Sequence, residues 1–142
     1  MKRILVAIDG SPRAEIVVAA AARMAELADA RLVLFRAIGI PSDLPSDLLN
    51  LRDRGLEDAL VGSARADLER CAAGLPAGRV EQLVTPFATA WDGICRFARE
   101  LDVDLIVIGS HGYGGLDRLL GTTASKVVNH ADRNVLVVRT LL

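Results

Sequence analysis

Four runs of consecutive apolar residues, Ile4–Ile8, Leu32–Phe35, Leu105–Ile108 and Val135–Val138, recur along the chain with helix-forming stretches between them. A strand that is apolar at every position cannot keep one face in water, so it has to be covered on both. Parallel strands return to the same end of a sheet only through a crossover, and a helix is the usual crossover. Runs of this kind, alternating with helical segments, therefore demand a mostly parallel sheet with helices on both faces.

The order of elements follows from spacing and turn chemistry. Arg3–Asp9 reads as the first strand. Ser11 suits a helix N-cap and Pro12 the first helical position. Ile16, Ala20, Met24 and Leu27 keep helical spacing behind them. Arg31–Ala37 reads as the second strand. Residues 38–54, with Pro41 and Pro45, read as a long loop with room for a short turn of helix, a kind of segment that is usually functional or mobile. Leu56, Leu60, Ala64, Leu68 and Cys71 mark the second helix, which Gly74–Gly78 closes. Arg79–Val84 is the third strand. Ala90, Ile94, Phe97, Ala98 and Leu101 mark the third helix, and Asp104–Ile108 is the fourth strand. Ala124–Ala131 is the fourth helix, and Asn134–Arg139 the fifth strand. The β-α-β-α-β-α-β-α-β pattern predicts an α/β fold: an open, doubly wound, Rossmann-like sheet of five parallel strands, for which the order 3-2-1-4-5 is assumed. The length of 142 residues suits one domain over residues 1–142.

Composition excludes several classes. The net charge of -1 offers no basic surplus for nucleic acid. No apolar stretch approaches the length of a membrane span, so no membrane insertion is expected. The N-terminus is briefly basic and then apolar, which reads better as the first strand than as a signal peptide. Cys71 and Cys95 lie far apart with no CxxC motif, so two buried reduced thiols and a cytoplasmic location are expected.

The richest chemistry lies between the fourth strand and the fourth helix. Gly109, Gly112, Gly114, Gly115 and Gly121 fall within thirteen residues, and Thr122 and Thr123 follow with hydroxyls. A strand feeding a glycine-rich loop and then a helix start makes an anion site. Unpaired N–H groups point outward there, the helix dipole favours negative charge, and glycine permits close backbone approach. The alternative is that these glycines serve only a tight turn. In a 3-2-1-4-5 sheet the first and fourth strands are neighbours at the switch point, where ligands bind outside the carboxyl ends of strands. The Asp9-Gly-Ser-Pro12 loop and the glycine segment thus converge on one crevice. Asp9 suits a ribose hydroxyl or a divalent cation such as magnesium; it equally suits a turn in which it bonds its own backbone. His111 fits either a phosphate contact or the loop surface. His130 reads as a helix C-terminal residue, and Trp91 as a packing residue. A GxGxxG after the first strand and a P-loop lysine are both missing. So is the acidic residue that a phosphorylation receiver would carry after the third strand, where Thr85-Pro86 stands. No catalytic triad or metal-spaced ligand set is indicated.

The glycine segment resembles the ATP-binding motif of the universal stress protein family: glycine, two residues, glycine, nine residues, then glycine with serine or threonine. Gly109 and Gly112 match the first pair, and Gly121-Thr122 matches the end. Ile4–Ser11 is similar to the family's opening strand and turn. Asp104–Gly112, Val127–Ala131 and Val135–Val138 are similar to its closing half. The chain departs from the pattern twice. Eight residues, Tyr113–Leu120, separate Gly112 from Gly121 instead of nine, and Val84-Thr-Pro-Phe87 stands where many members have a glycine.

The resemblance implies the adenine nucleotide alpha hydrolase-like version of this fold and a set of roles. Ala7 and Asp9 would line the adenosine side, and the Ala37 backbone would meet adenine. Ile108, Gly109, Gly112, Gly121, Thr122 and Thr123 would surround ribose and phosphates. ATP, with magnesium held through Asp9, would be the ligand. The last strand would pair with its copy in a homodimer through Val135, Leu136, Val137 and Val138. The function implied is a cytoplasmic stress-response regulator in which nucleotide and dimerisation bias a protein partner, with at most weak ATP hydrolysis. The alternative is an interaction module of the same fold that binds no nucleotide.

Overall fold

The structure, a computed structural model, describes residues 1–39, 54–110 and 120–139. Among them, strands β1 (Arg3–Ala7), β2 (Arg31–Phe35), β3 (Val80–Val84), β4 (Leu105–Gly109) and β5 (Asn134–Val138) alternate with helices. The helices are α1 (Ala14–Ala28), α2 (Arg54–Ala73), α3 (Ala90–Glu100) and α4 (Thr122–His130). Every strand pair is parallel, as the apolar runs require, and the sheet order is β3-β2-β1-β4-β5.

Side chains alternate across the sheet and feed two cores. On one face Ile4, Val6, Leu32, Leu34 and Val107 meet Val17, Val18, Ala21 and Ala25 of α1 and Leu68 of α2. On the other, Leu5, Val33, Phe35, Ile106 and Ile108 meet Ile94 and Ala98 of α3 and Ala124 and Val127 of α4. The central strands are therefore sealed on both sides. Each fully buried Leu, Ile or Phe contributes about 1.5–3 kcal/mol.

Helix α1 presents a different face from the one its spacing suggests. Ala14, Val17, Val18, Ala21 and Ala25 are buried, while Leu27 is 79% exposed. Alanines run around this helix, so two stripes satisfy the same period. The stripe of small residues lets the helix lie close to the twisted sheet, and packing selects it. Beyond Ala28 the chain reverses at Asp29, in the left-handed region at φ 52°. Arg79 secures that end, donating to the Ala30 carbonyl at 2.7 Å and meeting the Asp29 carboxylate at 3.3 Å.

Element ends shift where side chains take over the backbone's hydrogen bonds. Strand β1 stops at Ala7, one residue before its apolar run ends and two before the expected strand end at Asp9. The Ile8 N–H still donates to the Phe35 carbonyl at 2.9 Å. Asp9 Oδ1 then accepts the Ser11 N–H at 2.9 Å and turns the chain. Ser11 Oγ accepts the Arg13 N–H at 3.3 Å, and the Ser11 carbonyl accepts the Ala14 N–H at 3.1 Å. Ser11 thus builds the turn into α1, which begins at Ala14 with Arg13 at its N-cap. Helix α4 starts at Thr122, two residues ahead of the sequence expectation.

Candidate functional site

A cleft of about 620 Å³ opens at the carboxyl ends of β1, β2 and β4, where the strand order reverses. Seven of the residues expected there line it: Ala7, Asp9, Ala37, Ile108, Gly109, Thr122 and Thr123. Ala7 and Asp9 arrive from β1, Ala37 from the end of β2, Ile108 and Gly109 from β4. Thr122 and Thr123 open α4, and both side chains are exposed. On the α3 side half-buried Ala90 borders the cleft, with Phe35 and Ile94 buried beneath it.

Gly121 stands behind the wall and not on it. It is buried at the N-cap of α4; its N–H donates to the Ser110 carbonyl at 3.0 Å and its carbonyl accepts the Ser125 N–H at 2.9 Å. Its role is to place Thr122 and Thr123. Gly112 and His111 lie outside the described residues.

Two cations on the cleft wall escape the sequence reading: Arg13 and Arg36. The Arg36 guanidinium meets the Asp67 carboxylate of α2, which also meets Arg70. It also lies over the Asp-Gly-Ser turn. A Cβ added to Gly10 would sit 2.9 Å from Arg36 Nη2, so glycine is what lets the turn and the guanidinium approach. Arg13 had a signal in the sequence: a cation at a helix N-terminus opposes the dipole, which calls for another reason to be there. Arg36 had none, because Asp67 is remote along the chain.

The residues set aside in the sequence keep out of the cleft. Trp91 packs on α3 with its ring 4.7 Å from that of His130, and Lys126 lies over it. His130 Nδ1 lies 2.8 Å from the Lys126 carbonyl near the end of α4. Cys71 and Cys95 are free thiols; Cys95 is buried and Cys71 half-buried, and burial pushes both thiols up, away from the reactive thiolate. Among the described residues no group of three His, Cys, Asp or Glu side chains could hold a metal ion. A cation at Asp9 would therefore draw its other ligands from a bound phosphate or water. A larger groove, about 910 Å³, runs between α1 and α2 and shares Ile8–Ser11 with the cleft, but it has neither Ala37 nor the α4 threonines.

The cleft combines an apolar side, a turn carboxylate, two threonine hydroxyls at a helix start, two guanidinium groups and backbone exposed at Gly109. That donor set fits a ligand with an aromatic base at one end and phosphate at the other. No helix among the described residues is long and apolar enough to cross a membrane.

Known proteins agree with this architecture. Residues 1–139 match the model of the universal stress protein family. The chain is 33% identical to universal stress protein A homolog 1 of Coxiella burnetii over 146 aligned positions, covering 96% of this chain and 95% of that protein. The solved structure of hypothetical protein MJ0577 superposes with a TM-score of 0.77 at 26% identity, covering 96% of this chain and 94% of that one. A universal stress protein solved in complex with cAMP shares the fold, with a TM-score of 0.67 at 24% identity over 99% and 98% of the two chains. With its sheet order, its glycine-flanked β4–α4 junction and a match across nearly its whole length, the chain belongs to the universal stress protein family.

Proposed function

We propose that this protein binds an adenine nucleotide in the cleft and uses it as a regulatory ligand. One observation carries the reading: Asp9, Ala37, Gly109, Thr122 and Thr123, distant along the chain, share one cleft wall at the switch point of the sheet. Adenine lies against the Ala37 backbone, and Ala7 and Ile108 flank the adenosine. Asp9 takes the ribose or a magnesium ion. The phosphates meet Gly109, Gly112, Thr122 and Thr123, with Gly121 holding the start of α4. The cAMP complex of a protein with this fold supports adenine recognition by such a scaffold. ATP is the ligand put forward, with magnesium bound through its phosphates.

Turnover is slow in this reading. Phosphoryl transfer needs a positioned water and cations gathered on the transferring group. The ionisable side chains on the described wall are Asp9, Arg13 and Arg36, and Arg36 is engaged by Asp67. The nucleotide then acts by biasing assembly and partner binding in the cytoplasm. Assembly is a homodimer through β5, an edge strand whose Val135, Leu136, Val137 and Val138 are half-buried by this chain alone. A sheet edge of this kind, with no further strand paired to it among the described residues, is a pairing template.

The test is calorimetric titration of the purified chain with ATP and magnesium, joined to mass spectrometry of any nucleotide that co-purifies. Binding at micromolar to millimolar concentration is expected. A flat titration at millimolar ATP with no co-purifying nucleotide leaves the interaction-module reading in its place.

A further inference from the structure

The two arginines of the cleft differ in one respect. Arg36 already has a counter-charge: Asp67 stands between it and Arg70, and one carboxylate serves both cations. Arg13 has no ion-pair partner among the described residues, and its Nε is buried without a hydrogen-bond acceptor. Arg13 also occupies the N-cap of α1, where the helix dipole is unfavourable to a cation. A buried donor without a partner and a cation at the positive end of a helix both act against folding. They coincide on the wall that also carries Gly109, Thr122 and Thr123.

We propose that Arg13 is the residue by which the cleft distinguishes a phosphorylated adenine ligand from adenosine, and that Asp67 keeps Arg36 out of that role. The proposal rests on the adenine-nucleotide reading above. A phosphate oxygen gives Arg13 Nε–H its missing acceptor, and a second oxygen meets the neighbouring Nη, the fork geometry a guanidinium offers to oxyanions. A small turn of the half-buried side chain toward the cleft presents that edge. The anion also neutralises the repulsion between the guanidinium and the start of α1. Arg36, by contrast, lies over Gly10 and is ion-paired with a carboxylate from α2.

The test is calorimetric titration of the full chain with AMP and with adenosine, which share base and sugar, at low and high salt. The variants are Arg13→Gln, Arg13→Lys and Asp67→Asn, each checked for its thermal transition by circular dichroism. Wild type is expected to prefer AMP. In Arg13→Gln, AMP affinity falls about tenfold or more while adenosine affinity holds. Arg13→Lys retains part of the preference, since it keeps the charge and loses the fork. Salt weakens AMP binding in wild type and much less in Arg13→Gln. Asp67→Asn releases Arg36 and raises AMP affinity without a matching change for adenosine.

An equal loss of AMP and adenosine in Arg13→Gln marks a structural role and overturns the proposal, as does a wild type that binds both ligands equally. An Asp67→Asn protein with unchanged AMP affinity removes the role given to Asp67. A wild type that binds neither compound overturns the nucleotide reading itself. If Arg13→Gln fails to fold, the Arg13→Lys ratio and the wild-type salt dependence still decide.

Discussion

The backbone N–H of Gly121 donates to the carbonyl of Ser110 at 3.0 Å. Ser110, buried at the end of β4, donates its own N–H to the Val138 carbonyl of β5 at 2.9 Å. The first residue after β4 and the residue that caps α4 are thus tied together at the base of the intervening segment. The anchor explains how Thr122 and Thr123 stay on the cleft wall although eight residues, not nine, separate Gly112 from Gly121. A change in length between the two anchors need not propagate past the Ser110–Gly121 bond.

Thr122→Val and Thr123→Val remove one hydroxyl each from an exposed position at the start of α4. Each should lower adenine-nucleotide affinity about 2–10-fold, the value of one hydrogen bond, and leave the melting temperature nearly unchanged. Calorimetry on the single and double variants checks this.

Gly93→Val should destabilise the fold by about 1–3 kcal/mol. A Cβ at Gly93 would meet the Ala88 Cβ and the Phe35 Cζ, each at 3.1 Å, in the packed layer between α3 and the sheet. Phe35 is buried beneath the α3 side of the cleft, so a shift of its ring should lower nucleotide affinity along with stability. Urea unfolding and titration of the same variant test both.

Dimerisation through β5 should fail in Val137→Pro. The Ser110 N–H bond to the Val138 carbonyl sets the phase of the strand. Residues 134, 136 and 138 direct their backbone groups to β4, while Val135 and Val137 direct theirs away from it. Proline at Val137 removes an outward donor and spares the inward ladder. Light scattering should show dimer for wild type and monomer for the variant. A variant that stays dimeric places the interface elsewhere.

Acid should loosen the β1 end of the sheet. Asp104 Oδ2 accepts the Lys2 N–H at 2.6 Å and the Arg3 N–H at 3.0 Å, and these bonds hold its carboxyl below the usual range. Arg3 does the same for Glu81, which it meets at 2.7 and 2.9 Å. A folded-state pKa lowered in this way stabilises fully above the unfolded value, about 4, and the contribution disappears as pH falls through the folded value. Asp104→Asn should therefore lower stability slightly at neutral pH and flatten its fall below about pH 4. The effect is small because the carboxylate is exposed and screened. Denaturant titrations between pH 2 and 7 compare the two proteins.

The parallel sheet was legible in the apolar runs, because a strand without a polar face needs cover on both sides. The cleft position followed from two turn-forming loops once the order 3-2-1-4-5 was assumed; the alternation of strands and helices by itself left that order open. Turn chemistry acts within a few residues, so Asp9, Gly109, Thr122 and Thr123 could be picked out from their neighbours alone. The buried face of α1 could not, since alanines on several sides let two stripes share one period and only contact with the sheet chose between them. Nor could the pairing of Arg36 with Asp67, or the presence of Arg13 and Arg36 on one wall. Sequence alone determined what each segment must bury and where the chain must turn, because those demands are local. The tertiary structure decided which charges face one another across the cleft, because a charge's partner is set by the docking of helices that are far apart along the chain.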